Sequence, residues 1–339
     1  MALIASAAFI TFSIVFSSNR LANLLAPGNW HEWARGIGHL WGLTFLGTAA
    51  GLFALPLAGR QFSPARRQFL NAAGGALVAS PAIIVGYGVF GRNQFQVKEI
   101  DIPIPGLPKD LQGLRILQLS DIHMSAFLTE ADLRRVVDMA NETKPHLCVL
   151  TGDLITGRND PLELCMKHVS RVRADAGIIG CNGNHEIFAD CEARVKARGS
   201  SLGMNILRGE KTRLRFGSAT LNVVGVDYQP FRSPYLIGAG ELVEPDAVNL
   251  LLSHNPDVFP VAARQGYQLT LAGHTHGGQV TVEILHQYAN VARMFTNYVY
   301  GRYHQNGAAL YVTRGIGTVG IPARVGAPPE ITVVRLCAS

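Results

Sequence analysis

The chain has 339 residues, 48% of them hydrophobic and 16% charged, with a formal net charge of +6. This is too apolar for an ordinary soluble domain and long enough for two units. Residues 1–92 hold six arginines against Glu32, so five of the six excess charges lie there; a nucleic-acid partner, which needs Lys and Arg clustered on the folded domain, is not expected.

Taken in chain order, Ala2 to Phe16 is an apolar run without the basic start of a secretion signal, and it reads as a first membrane helix. No Asp, Glu, Lys or Arg occurs between Arg35 and Arg60 or between Arg67 and Arg92, and each gap as a helix reaches across a hydrocarbon layer of about 30 Å. Trp30, Trp33 and Trp41, all the tryptophans of the chain, suit an interfacial belt. The expectation is a membrane region over residues 1–92 with about three transmembrane helices, the alternative being a helical hairpin buried in a soluble core. Arginines flank the spans almost evenly, so they do not orient the second domain, residues 93–339, to either side of a membrane. A transporter is disfavoured, because the spans carry no charged residue and His39 stands at a helix end.

From about residue 96 short apolar runs alternate with amphipathic ones, the pattern of an α/β domain. "IDIPIPGLP" (100–108) reads as a strand and turn leading in. Strand candidates follow at 114–120, 146–152, 176–182, 221–226, 249–253, 267–273, 308–314 and 330–336; several are apolar on both faces, as interior strands are. Thr129 caps a helix with Leu133, Val136, Val137 and Ala140 on one face, and Asp160-Pro161 starts another with Leu162, Cys165, Met166, Val169 and Val172. Cys148, Cys165, Cys181, Cys191 and Cys337 form no C-x-x-C pair and read as buried thiols.

Five strand candidates end in polar groups that folding does not require: "SDIH" (Asp121, His123), "GDL" (Asp153), "GNHE" (Asn184, His185, Glu186), "SHNPD" (His254) and "GHTH" (His274, His276). Ligands of open α/β sheets gather at the carboxyl ends of strands, so these loops can converge. Imidazoles, carboxylates and an amide oxygen without a thiolate suit divalent Mn, Fe or Zn rather than a structural zinc. Such a set exceeds one tetrahedral ion. It suffices for two ions about 3.5–4 Å apart sharing a carboxylate, the arrangement that clamps a phosphoryl displacement. In an extended segment residues two apart project to one side, which would turn His274 and His276 into one cavity, while Gly273, Gly277 and Gly278 let the backbone close in.

The order D-x-H, G-D, G-N-H-E, H, G-H-x-H resembles the calcineurin-like metallophosphoesterase superfamily, and "LLSHNPDVFP", "LAGHTHGGQV" and "YVTRGIGTVGIPARVGAPPEIT" look like its bacterial membrane-associated phosphodiesterase branch. The resemblance covers residue 96 to the end. It implies an α/β sandwich of two mixed β-sheets flanked by helices, with a dinuclear metal site at the strand ends behind the N-terminal transmembrane region. It further implies two divalent ions, manganese first and iron or zinc as alternatives. Asp121, His123, Asp153 and His276 would hold one ion, and Asp153, Asn184, His254 and His274 the other, with Asp153 bridging. A hydroxide between the ions would attack, and His185 would be the catalytic non-ligand. Some members of the superfamily carry an Asp that orients this histidine where this chain has Thr156; Glu186, Asp227 or a backbone carbonyl would take its place.

"GIGTVG" (315–320) matches a dinucleotide loop, but Pro322 follows at once, so a backbone-dense loop beside the metals is expected. Residues 284–307, with Tyr288, Phe295, Tyr298, Tyr300, Tyr303, Arg293 and Arg302, would bind the rest of the substrate, lie on lipid headgroups, or simply pack. The expectation is a two-metal phosphodiesterase or pyrophosphatase, multi-pass in a bacterial cell membrane, with a lipid-linked or nucleotide-linked phosphoester as substrate. The rival is a non-catalytic receptor or scaffold keeping the fold.

Overall fold

The structure, a computed structural model, describes residues 30–54, 64–230, 234–284, 287–289 and 291–339. The chain divides into two compact units. The first takes the chain up to Arg92 together with Val319–Val325; the second takes Asn93–Thr318 and Gly326–Ser339. The return of seven late residues to the N-terminal unit has no signal in the sequence.

In the first unit, helix α1 (Trp30–Ala54) and helix α2 (Pro64–Gly91) are joined by the Thr48 and Ser80 hydroxyls at 3.0 Å. The Arg324 N–H donates to the Gly88 carbonyl at 2.9 Å, and a Cβ on Gly88 would meet Ala323 Cβ at 2.9 Å, so the glycine admits the returning segment. Among the described residues no helix is long and apolar enough to cross a membrane. The two later spans expected from the charge-free gaps are therefore not borne out, and the first, Ala2 to Phe16, lies outside the described residues.

The second unit is a sandwich. Its strands are β1 (Gln96–Ile104), β2 (Arg115–Leu119), β3 (Leu147–Thr151), β4 (Ile178–Cys181), β5 (Met204–Ile206), β6 (Glu210–Phe216), β7 (Ala219–Gly225), β8 (Val248–Leu252), β9 (Leu269–Ala272), β10 (Val282–Ile284), β11 (Gln287–Ala289), β12 (Gly301–Gln305), β13 (Ala308–Val312) and β14 (Glu330–Ala338). Its helices are α3 (Glu130–Glu142), α4 (Leu162–Val169), α5 (Asn184–Phe188), α6 (Glu192–Ser201) and α7 (Phe259–Gln265). One six-stranded sheet runs β1-β14-β2-β3-β4-β5 and the other β12-β13-β9-β8-β7-β6, with a separate β10-β11 hairpin. Both are mixed: β2 to β5 are mutually parallel with β14 antiparallel to β2, and β7, β8, β9 and β13 are parallel with antiparallel β6 and β12 at the edges.

Between the sheets lie Ile116, Val149, Val223, Leu250, Leu271 and Val334, all fully buried. Outside the first sheet, Leu133, Val136 and Val137 of α3 pack with Cys165 and Met166 of α4, and Val258 and Phe259 cover the second. Each such side chain stabilises by about 1.5–3 kcal/mol when fully buried. Covered on both faces, the central strands have no polar alternation to show. Thr129 caps α3 through its hydroxyl and Asp132 completes the capping box. Cys148, Cys165, Cys181 and Cys191 are buried free thiols, and burial pushes all four up in pKa.

Candidate metal centre

Strands β2, β3, β4, β8 and β9 each continue at their carboxyl ends into one of the five polar loops, and parallel pairing puts the loops of each sheet at one edge. Gln118 Nε2 ties the sheets there, donating to Thr151 Oγ1 at 2.9 Å and to the Ala272 carbonyl at 3.0 Å. The loops meet. Donor atoms of Asp121, His123 and His276 lie within 4.8 Å of one another, as do those of Asp153, His254 and His274, and those of His123, Asp153 and His185. Asp153 Oδ2 is 3.0 Å from His254 Nε2 and 3.5 Å from His123 Nε2, so one carboxylate faces both clusters. His123 Nε2 and His276 Nε2 stand 3.2 Å apart, and His274 Nδ1 and His254 Nε2 3.1 Å apart.

These residues fit a cation. Asp121 and Asp153 are buried together, a cost that a divalent ion offsets directly. Asn184 Oδ1 is buried without a hydrogen-bond partner among the described residues, as an oxygen left for a metal ion would be. The backbone adds a further mark. Asp121, His123, Asp153, His274 and His276 all have positive φ, between 48° and 75°; left-handed backbone at β-carbon-bearing residues costs energy and gathers at functional sites.

This corrects the expected reason for the GHTH spacing. The segment is not extended: His274 (φ 75°) and His276 (φ 53°) are left-handed around Thr275 (φ −87°). The turn sends the two imidazoles to different clusters, His274 to His254 and Asp153, and His276 to His123 and Asp121. Gly273 and Gly183 are there for close approach. A Cβ on Gly273 would meet Asp121 Oδ2 at 2.3 Å, and one on Gly183 would meet Asp153 Oδ1 at 2.2 Å.

Thr156 has two tasks in the place where some members of the superfamily have an aspartate. Its carbonyl accepts from His185 Nδ1 at 2.6 Å, and its Oγ1 lies 3.1 Å from His123 Nδ1. Of the three orienting groups weighed for His185, the backbone carbonyl is the one in contact. Glu186 instead clamps the loops, accepting from the N–H groups of Asp153, Leu154 and Gly183 at 2.7–2.9 Å. Asp227 pairs with Arg208 at 2.8 Å and accepts from Asn182. Because ligand-orienting hydrogen bonds typically carry about 10–100-fold in metal affinity, Thr156→Val is expected to weaken divalent-metal binding by that factor while His185 keeps its carbonyl anchor. Titration of the variant by calorimetry checks this, and an unchanged affinity would contradict the role given to the hydroxyl.

Burial pushes the Asp121 carboxyl up in pKa, with the Asp153 charge adding to it. Burial acts the same way on Asp153, but the adjoining His254, His123 and His185 outweigh it and hold this carboxyl well below the usual range. Burial lowers His254, yet Asp153 and Asp121 raise it further, to about 10; burial and the neighbouring His254 lower His274 to about 3.

Two neighbours had no signal in the sequence. Ser120 Oγ donates to Asp121 Oδ2 at 2.6 Å, and the Tyr228 ring lies 5.4 Å from His274 and 6.0 Å from His254. The glycine-rich stretch after β13 lies against the same loop, with the Ile316 N–H on the Ser120 carbonyl and the Gly317 N–H on the Asp121 carbonyl. In the aromatic stretch, Tyr298 and Tyr303 pack edge to face at 5.0 Å, whereas Phe295 is exposed; the Tyr288 side chain lies outside the description.

The model of the calcineurin-like phosphoesterase family matches residues 114–278. The uncharacterized metallophosphoesterase YkuE of Bacillus subtilis is 29% identical over 283 residues, covering 80% of this chain and 97% of that protein. A transmembrane protein with metallophosphoesterase domain from Danio rerio is 30% identical over 271 residues, 75% of this chain and 60% of that protein. The uncharacterized metallophosphoesterase Cj0846 of Campylobacter jejuni is 29% identical over 244 residues, 71% of this chain and 63% of that protein. The chain thus spans nearly all of the Bacillus relative and about three-fifths of the other two. With two mixed sheets, helices on their outer faces and the histidine–aspartate clusters at the strand ends, the chain belongs to the calcineurin-like phosphoesterase superfamily and is a metal-dependent phosphoester hydrolase.

Proposed function

We propose that the centre is a two-ion phosphodiesterase or pyrophosphatase working at a membrane surface. The carrying observation is the Asp153 carboxylate, which stands between the His123 and His254 nitrogens. Asp121, His123 and His276 would share Asp153 with Asn184, His254 and His274 in holding two divalent ions, manganese first. Bound there, the ions would acidify a water and offset the charge of the phosphoryl group. His185, anchored through Nδ1 on the Thr156 carbonyl, offers Nε2 to hold a proton for the leaving oxygen or to bond a phosphoryl oxygen. A scaffold without turnover has no need of this charge-dense, backbone-strained cluster, which disfavours the non-catalytic reading.

Lipid is the surface we assign to the helical unit. Leu46, Phe69, Ile83, Tyr87 and Phe90 are each 65–73% exposed on α1 and α2, and apolar area in water costs roughly 25 cal/mol per Å². The Danio rerio relative, named as a transmembrane protein, is consistent with this. A substrate presented at that surface, lipid-linked or nucleotide-linked, follows from the anchoring.

The full chain in detergent with manganese should hydrolyse bis(4-nitrophenyl) phosphate. His185→Asn should lower kcat by about 10²–10⁴ with metal content kept. No turnover with manganese, iron or zinc would remove the reading, and failure to co-float with lipid vesicles would remove the anchoring.

A further inference from the structure

Beside the metal centre lies a cavity of about 220 Å³ whose described lining includes Gly277, Thr281, Arg293, Tyr300, Arg314 and Gly326. None of these residues belongs to the chemistry assigned above. The cavity is smaller than the roughly 300–1,000 Å³ of sites that take a whole small molecule, so it has room for one functional group. Its chemistry is cationic, with two guanidinium groups, a phenol and a hydroxyl.

Arg314 is built in. Its guanidinium carbon sits 3.9 Å from the centre of the Tyr300 ring. The Tyr300 hydroxyl donates to Glu330 Oε2 at 3.0 Å and receives Lys98 Nζ. The Tyr311 hydroxyl binds the other oxygen of the same buried Glu330, so the ring under Arg314 is immobilised from below. Room for the arginine stem comes from Gly277, whose φ is +60°; a Cβ there would meet Arg314 Cγ at 2.8 Å. Thr281 Oγ1 donates to the Gly277 carbonyl at 2.7 Å and holds that turn. Both arginines also have further partners.

Two chain segments join this cavity to the catalytic loops. Gly277 directly follows His276, and Arg314 directly precedes Gly315, at which a Cβ would meet Asp121 Cβ at 2.5 Å. Asp121 and His276 belong to one cluster. The cavity lining therefore adjoins that cluster by one chain step at His276 and, through Gly315, by contact with Asp121. A planar guanidinium with several N–H donors matches phosphate oxygens pairwise.

We propose that this cavity is a second anion subsite of the same centre, holding a phosphate that the substrate carries in addition to the one being hydrolysed. This deepens the phosphoester reading above and rests on it. The preferred substrates are then phosphoesters bearing a second phosphate a short linker away, and the subsite acts chiefly on substrate binding.

The test uses the full chain with manganese and a matched pair, thymidine 5′-(4-nitrophenyl phosphate) and the same compound phosphorylated at the 3′ position. Hydrogen bonds to charged groups support an expected gain of about tenfold or more in kcat/KM for the doubly phosphorylated compound, carried by KM. Arg314→Gln should bring the ratio of the two compounds towards one. Arg293→Gln, on the exposed rim, should lower it in part and covers the case in which the Arg314 variant fails to fold. Equal kcat/KM for both compounds in the parent chain would overturn the subsite while leaving the phosphoester reading intact. So would variants that slow both compounds alike. Hydrolysis of neither compound would strike at the phosphoester reading itself.

Discussion

Asp153→Asn is expected to lower kcat/KM for bis(4-nitrophenyl) phosphate by on the order of a thousandfold or more, the scale of losing the principal charge stabilisation of a site. Asparagine is the sharpest probe here. Asp153 has φ 57°, and asparagine tolerates left-handed backbone better than most residues. Its amide oxygen can still accept the His185 N–H that Asp153 Oδ1 now takes at 2.9 Å. What it lacks is a second anionic oxygen and a negative charge, so it cannot serve the His123 and His254 sides together. Elemental analysis should show the ion content falling with activity. A folded variant that keeps two ions and full turnover would remove Asp153 from the centre of the mechanism.

Metal affinity is expected to rise about tenfold per pH unit across the neutral range, because ion binding must displace a proton. His254 Nδ1 donates to the Thr151 carbonyl at 2.7 Å, and Nε2, 3.0 Å from Asp153 Oδ2, would carry a proton wherever no ion is bound. The imidazole is held at about 10, above its ordinary 6.5. The ion pair therefore stabilises the metal-free fold fully below pH 6.5 and is lost as pH rises through 10. A divalent ion would compete with that proton for Nε2. His274, lowered to about 3, is neutral throughout this range and needs no such exchange. Thermal unfolding with chelator and with manganese at pH 6, 7.5 and 9 should show the manganese-induced gain growing with pH. A gain independent of pH would mean that His254 is not a ligand.

The central strands and the first two helices of the second unit were legible because their signals are local, whereas β5, β6, β10, β11, β12 and α6 were not read. Leu147–Thr151 and Val248–Leu252 are mostly apolar runs bounded by turn residues, and Thr129 with Asp132 forms a cap within four residues. The short α5 and α7 were not, since Asn184–Phe188 and Phe259–Gln265 are too brief for a helical period to stand out from the motifs that contain them. The two later membrane spans are unconfirmed among the described residues. Absence of charge is one condition for crossing a bilayer, and hydropathy carried by enough Leu, Ile, Val and Phe is another.

Residue type, spacing and order were enough to name the donor set, because a metal cluster is defined by its chemistry and a parallel α/β sheet delivers strand-end loops to one edge. What the linear chain left open is how each donor is held in its place. That depends on backbone handedness at His274 and His276, on the placing of the Thr156 carbonyl and hydroxyl, and on the stacking of Arg314 over Tyr300. Each is a contact between residues far apart in sequence, or a dihedral that neighbouring loops impose. Such features exist only once the two sheets have packed, since the packing supplies the energy that holds strained turns and buried charges in place.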